Sequence, residues 1–171
     1  MKFNVSSKAL YNATSAVSKV INSKNALTIL DNFFIKLADN TLTITGSDQE
    51  NALTARLEVT GVKGEGCFCL GARRLVELLK ELPDQGMEVS VNDDTLEVQL
   101  SYSSGHYSFV ALPGDQYPQF QANTLGDPIS FSVATEQIIA GLDNTMFAVS
   151  NDEYRQIMQG VLLDIAPDSI T

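Results

Sequence analysis

The chain has 171 residues, 44% of them hydrophobic and 19% charged, which suffices for one large domain or for a domain and part of a second. It opens Met1-Lys2-Phe3-Asn4-Val5 without an apolar run long enough for a signal peptide or a membrane span, which points to the cytoplasm. A net charge of −10 argues against nucleic acid as a partner of the surface as a whole, because phosphate binding needs clustered Lys and Arg.

Residues 1–5 alternate apolar and polar like a strand, and Ser6-Ser7 offers an N-cap for a helix over 7–21. Leu10, Ala13, Val17, Val20 and Ile21 share one side of that helix, and Lys8, Asn12, Ser15 and Lys19 fall on the other. With Lys2 and Lys24 these lysines make residues 1–30 a basic stretch containing no Asp or Glu. An acidic body with one basic segment is an electrostatically polarised design; a chance run is the alternative. After a break at 22–25, strand-like runs follow at 29–37, at 41–45 across an Asp39-Asn40 turn, and at 52–59.

Gly61, Gly64 and Gly66 punctuate the chain, and the pattern then repeats. A short strand at 67–70 precedes a helix at 72–82 closed by Pro83, and strands are predicted at 87–91, 95–100 and 107–112. The repeats span 1–61 and 66–112, each reading strand, helix, three strands. In the second helix Leu75, Leu78 and Leu82 lie together, with Arg73, Glu77 and Lys80 roughly opposite. Cys67 and Cys69, one residue apart on a strand, suit neither a relaxed disulfide nor a complete zinc site and read as small buried hydrophobes. His106 is the single histidine, which excludes a His-rich metal site.

Residues 113–128, with Pro113, Pro118 and Pro128, carry no apolar periodicity and read as a linker or domain edge. A third unit is predicted after it: a strand at 129–133, a helix at 135–146 with Ile138, Ile139, Leu142 and Met146 inward, and a strand at 160–165. So small a unit buries its apolar face poorly, so the natural chain is expected to continue beyond Thr171; the alternative is that 129–171 completes the sheet of the first domain. No phosphate-binding loop, dinucleotide fingerprint, HExxH or GxSxG motif is present, and adjacent carboxylates such as Asp93-Asp94 or Asp152-Glu153 read as solvated turns.

Several runs carry a family resemblance. Met1-Lys2-Phe3 with Val5, the strand Leu27-Thr28-Ile29-Leu30-Asp31-Asn32-Phe33-Phe34-Ile35, and the hairpin from Ala38 through Thr45-Gly46-Ser47-Asp48-Gln49-Glu50 resemble the bacterial DNA polymerase III beta subunit, the sliding-clamp family. Leu112-Pro113 with Tyr117-Pro118, and Phe147 through Arg155 to Gly160-Val161-Leu162, are similar to its later motifs. The likeness runs in register over essentially the whole chain. Departures stand at Thr28, Gln49, Gln156, Met158 and Gln159, where the family favours Pro, Leu, Pro, Leu and Asn; they bear on a docking pocket more than on the fold.

The resemblance implies an α+β DNA-clamp fold of repeated strand-helix-three-strand units, with antiparallel sheets outside and helices facing the lumen of a ring. It divides the chain into a first clamp domain (1–120), a linker (121–128) and the first part of a second domain (129–171). The implied function is that of a non-catalytic polymerase processivity factor, needing no cofactor or metal, that encircles double-stranded DNA and holds polymerase and clamp loader through short peptide motifs. Lys8, Lys19, Lys24, Arg73 and Lys80 are the implied DNA contacts, Lys24 and Arg73 at positions where the family carries DNA-contacting arginines. Arg74, Tyr107 and Phe109 resemble the edge that closes a homodimer, with core packing of the two aromatics as the alternative; Arg155 and Met158 match positions lining the peptide pocket. Two other functions fit the residues: a small acidic α+β enzyme, which predicts converging carboxylates with strongly shifted pKa values, and a peptide-binding adaptor without a DNA role, which predicts cations scattered over unrelated faces.

Overall fold

The computed structural model describes residues 1–22, 25, 27–118, 131–152, 154–166 and 169–171. Two compact units, residues 1–122 and 123–171, make up the chain. The first begins with β1 (Lys2–Ser6) and α1 (Ser7–Val17), followed by β2 (Asn32–Ala38), β3 (Thr41–Ser47), β4 (Ala52–Glu58) and β5 (Thr60–Lys63). The same succession then recurs as β6 (Gly66–Gly71), α2 (Ala72–Glu81), β7 (Gly86–Val91), β8 (Glu97–Tyr102), β9 (Gly105–Val110) and β10 (Leu112–Pro113).

Period-two alternation dictates the two antiparallel sheets. Phe3 and Val5 of β1 lie opposite Val89 and Met87 of β7, Val91 opposite Val98, and Val98 opposite Phe109, so one face of the sheet β5-β1-β7-β8-β9 is apolar. In the sheet β10-β6-β2-β3-β4, Phe33 and Ile35 oppose Leu70 and Phe68, and Ile35 and Leu37 oppose Ile44 and Leu42. These inward faces join the apolar sides of α1 and α2 in one core, where Phe3, Phe33 and Phe68 are almost fully buried. Burying such a side chain is worth about 1.5–3 kcal/mol.

The two repeats exchange their first strands. β1 pairs with β7, from the second half of the unit, and β6 pairs with β2, from the first. Replacing each first-repeat element by its second-repeat counterpart turns one sheet order into the other. Each repeat also has a fourth strand beyond the three predicted. β5 pairs with β1 and β10 with β6, and the predicted strand 107–112 divides at Ala111. At Gly61 the backbone has φ +63, which L side chains rarely adopt, and a Cβ there would come within 2.5 Å of Asn4 Nδ2.

Other boundaries moved by a turn or less. Helix α1 stops at Val17 and continues as a 3-10 turn over Ser18–Val20; Thr28–Asp31, expected as strand, is also a 3-10 turn. The Asp39-Asn40 turn has φ of 49 and 59 at its two central residues, the left-handed pair of a type I′ hairpin. Residues 113–117, the start of the stretch expected as a linker or domain edge, fold back: Tyr117 is buried with Leu30 and Cys69 and stacks on Phe34 at 5.5 Å, while the linker 121–128 lies outside the described residues. Gly46 of β3 lies under the end of α1, where a Cβ would approach Val17 Cγ1 to 2.9 Å and Ile21 Cγ1 to 3.2 Å.

The second unit contains α3 (Thr135–Asp143) and a small ladder of β11 (Ile165–Ala166) with β12 (Ser169–Ile170). Residues 131–133 lie outside any strand, and Ile129 and Ser130 lie outside the described residues. Of the predicted strand 160–165 only its end is one. Ile138 and Leu142 are partly covered, whereas Ile139 and Met146 are exposed, contrary to the inward placement predicted for all four. Alternation becomes a strand only where a neighbour takes up its hydrogen bonds, and among the described residues none does so for 131–133 or for 160–163. No helix among the described residues is long and apolar enough to cross a membrane.

Candidate nucleic-acid interface

Helix α1 starts where Ser6 Oγ accepts from Ala9 N at 3.3 Å and Ser7 Oγ donates to Pro83 O at 2.7 Å. Ser7, Leu10, Ala13, Thr14 and Val17 are its buried residues, an i, i+3, i+4, i+7 stripe, and the Thr14 hydroxyl is satisfied by Leu10 O at 2.8 Å. Lys8, Asn12 and Lys19 are therefore exposed on the opposite side, Lys19 from the 3-10 turn. Helix α2 buries Ala72, Leu75 and Leu79, and leaves Arg73, Arg74, Glu77, Lys80 and Glu81 exposed. The helices pack against each other, so the structure brings Lys8, Lys19, Arg73 and Lys80 onto a contiguous helix pair. Lys24 lies outside the described residues.

By place in the repeat, Ser7, Leu10 and Thr14 match Ala72, Leu75 and Leu79, all buried. Lys8 then matches Arg73, Asn12 matches Glu77, and Ser15 matches Lys80. One relation not drawn from the sequence is an ion pair on the second face: Arg73 Nε lies 2.9 Å from Glu77 Oε1. Its only clue was the i, i+4 spacing.

At the edge of its sheet, β9 pairs with β8 alone. Phe109 is in the core at 8% exposure, while Tyr107, whose ring centroid is 4.7 Å from that of Phe109, is 43% exposed. The two predicted edge aromatics thus divide, one inside and one half out. Val110, not singled out from the sequence, is 83% exposed on the same strand; an apolar β-branched residue at an outward position of a last strand was the available signal. Arg74 is exposed on α2.

In the second unit Arg155 forms an ion pair with Asp152 at 3.7 Å, and Met158 N donates to Arg155 O at 2.8 Å, while Met158 is 54% exposed. An open apolar groove of about 850 Å³ in this unit is lined by residues that include Phe131, Val133, Ile138, Leu142 and Leu163. Arg155 and Met158 are not among its walls.

Elsewhere the perturbed groups are structural. Asp48 is held below the ordinary carboxylate range chiefly by the Asn51 backbone N–H, at 2.7 Å, and closes a turn. Burial, with Cys67 and Asp115 nearby, pushes the Cys69 thiol up to about 12; burial with Cys69 beside it pushes the Tyr117 phenol up to about 12. Cys69 is buried as predicted, but Cys67 is exposed, because its position at the start of β6 leaves that end of the strand uncovered.

Residues 1–121 match the family described as DNA polymerase III beta subunit, N-terminal domain. The chain belongs to this family. It is 25% identical over 166 residues to the beta sliding clamp of Pseudomonas aeruginosa, covering 96% of this chain and 44% of that protein. It is 30% identical over 171 residues to the beta sliding clamp of Staphylococcus epidermidis, covering 94% of this chain and 44% of that one. A crystal structure of the DNA polymerase III subunit beta from Pseudomonas aeruginosa superposes with a TM-score of 0.87 at 23% identity, over 99% of this chain and 45% of that chain. The fold is the clamp fold, α+β with antiparallel sheets. The chain spans less than half the length of these relatives.

Proposed function

We propose that this chain supplies the amino-terminal part of a ring-shaped clamp that encircles duplex DNA and holds DNA polymerase at its work in the cytoplasm, with no catalytic step of its own. The observation that carries this is the pair of packed helices whose solvent sides present Lys8, Lys19, Arg73 and Lys80 on a protein of net charge −10. Membership of the polymerase III beta-subunit family supports duplex DNA, of opposite charge, as the partner of those helices. Lys24 belongs to the same proposed set.

The arrangement suits sliding. A few Lys and Arg side chains touching backbone phosphates add affinity without reading base edges, so every register along the duplex is nearly equivalent. The acidic remainder of the chain repels DNA and favours the cationic helix side. A polymerase tethered by a short peptide gains a high effective concentration at the primer end. Arg155 and Met158 are proposed to serve such peptides, and the β9 edge with Tyr107, Phe109 and Arg74 is proposed to join a second copy head to tail, closing a homodimeric ring.

The test is topological. Full-length protein loaded by its clamp loader onto primed circular DNA is expected to stay through a high-salt wash and to leave when the circle is cut. Equal loss from intact and cut circles would refute encirclement.

A further inference from the structure

We infer that Glu77 restrains the nucleic-acid face: by pairing with Arg73 it keeps that guanidinium from fastening onto a phosphate. This rests on the DNA reading above and adds to it a residue of the opposite sign. Arg73 is 90% exposed at its side chain, and its Nε is held 2.9 Å from Glu77 Oε1, one helical turn along α2, with Glu77 itself 63% exposed. Lys8, Lys19 and Lys80, the other described cations of the set, form no ion pair among the described residues.

The repeat sharpens the point. In α1 the position matching Glu77 is Asn12, four residues after Lys8, where an amide leaves the cation uncompensated. The second repeat thus carries a carboxylate where the first carries a neutral side chain, on the face where a carboxylate opposes binding. Glu77 engages Nε alone, so both terminal nitrogens of Arg73 remain able to point outward, and the residue still contributes an attraction that its neighbour offsets. An exposed pair of this kind is weak enough for a phosphate to displace, which makes Glu77 a competitor and not a lock. A face intended to slide gains from this, since each firmly held phosphate is a barrier to the next step.

The experiment uses the full-length protein and a short dye-labelled duplex of mixed sequence, with anisotropy read across a salt titration. Glu77→Gln is expected to tighten binding about twofold at the lowest salt and to steepen the slope of log K against log salt by about 0.9, as one more phosphate contact forms. Asn12→Glu is expected to do the reverse through Lys8. In an Arg73→Ala background the gain from Glu77→Gln should vanish. An unchanged affinity and slope for Glu77→Gln, or a gain that survives without Arg73, overturns the inference. Lys8→Ala and Lys80→Ala report on the face itself: if they weaken binding while Glu77→Gln does nothing, only the role of Glu77 fails, and if they too change nothing, the DNA reading fails with it.

Discussion

Replacing Gly46 by alanine tests how the end of α1 is held. The added methyl would stand 2.9 Å from Val17 Cγ1, 3.1 Å from Val17 O and 3.2 Å from Ile21 Cγ1. Val17 is 0% exposed, with no room to retreat, and one of the three contacts is backbone. Gly46 does not have a positive φ, so the whole cost is overpacking, about 1–3 kcal/mol. At roughly 4 °C per kcal/mol for a unit of this size, the thermal midpoint should fall by about 4–12 °C in a calorimetric scan. Val17→Ala in the same chain removes the shortest contact, so the double variant should be about 1 kcal/mol more stable than the sum of the two single losses. A Gly46→Ala midpoint equal to that of the parent, or strict additivity, would show that α1 does not rest on this strand as described.

Three further outcomes are expected. Iodoacetamide at mildly alkaline pH should modify one cysteine per native chain, Cys67, and both after denaturation, read by mass spectrometry after digestion, because Cys69 is buried and its thiol is raised to about 12. Since the folded pKa values of Cys69 and Tyr117 lie above their ordinary values of 9.0 and 10.0, the unfolded chain loses these protons first. Their contribution is complete below about pH 9 and disappears as pH climbs toward about 12; urea midpoints should therefore fall over that window, less steeply for Tyr117→Phe. Gln49 and Leu96 both have left-handed backbone, with φ of 83 and 56, but Gln49 is exposed and Leu96 packs on the core. Gln49→Gly should raise stability by about 0.5–1 kcal/mol and Leu96→Gly lower it, measured by denaturant titration.

Much of the first unit was legible because it is half buried. Phe3 and Val5, Phe33 to Leu37, and Met87 to Val91 alternate so regularly that only a strand with one covered face accommodates them. The outward sides of α1 and α2 followed from the helical period, and Lys8, Lys19, Arg73 and Lys80 are where that period puts them. Strands β5 and β10 were missed because four residues around Gly61, or two ending in Pro113, show no alternation to read. The exchange of β1 and β6 was out of reach for another reason: periodicity states which face is buried, not which distant segment lies alongside. In the second unit the pattern was present at 160–165, but hydrogen-bonding neighbours decide whether a pattern becomes a strand, and Leu162 at 84% exposure shows the difference.

The exchanged first strands also set the order in which the protein can mature on the ribosome. On one edge β1 meets β5 of its own repeat, but on the other Phe3 lies opposite Val89, so the leading strand emerges long before the segment that completes it. At about 5–20 residues per second that interval is on the order of ten seconds, during which an apolar strand edge stands open. Helix α1 and the hairpin of β2 and β3 are made in the meantime and bring their own polar coats, but they offer the leading strand no ladder. The sheet of β5 and β1 is therefore completed only once the second half of the unit has been made.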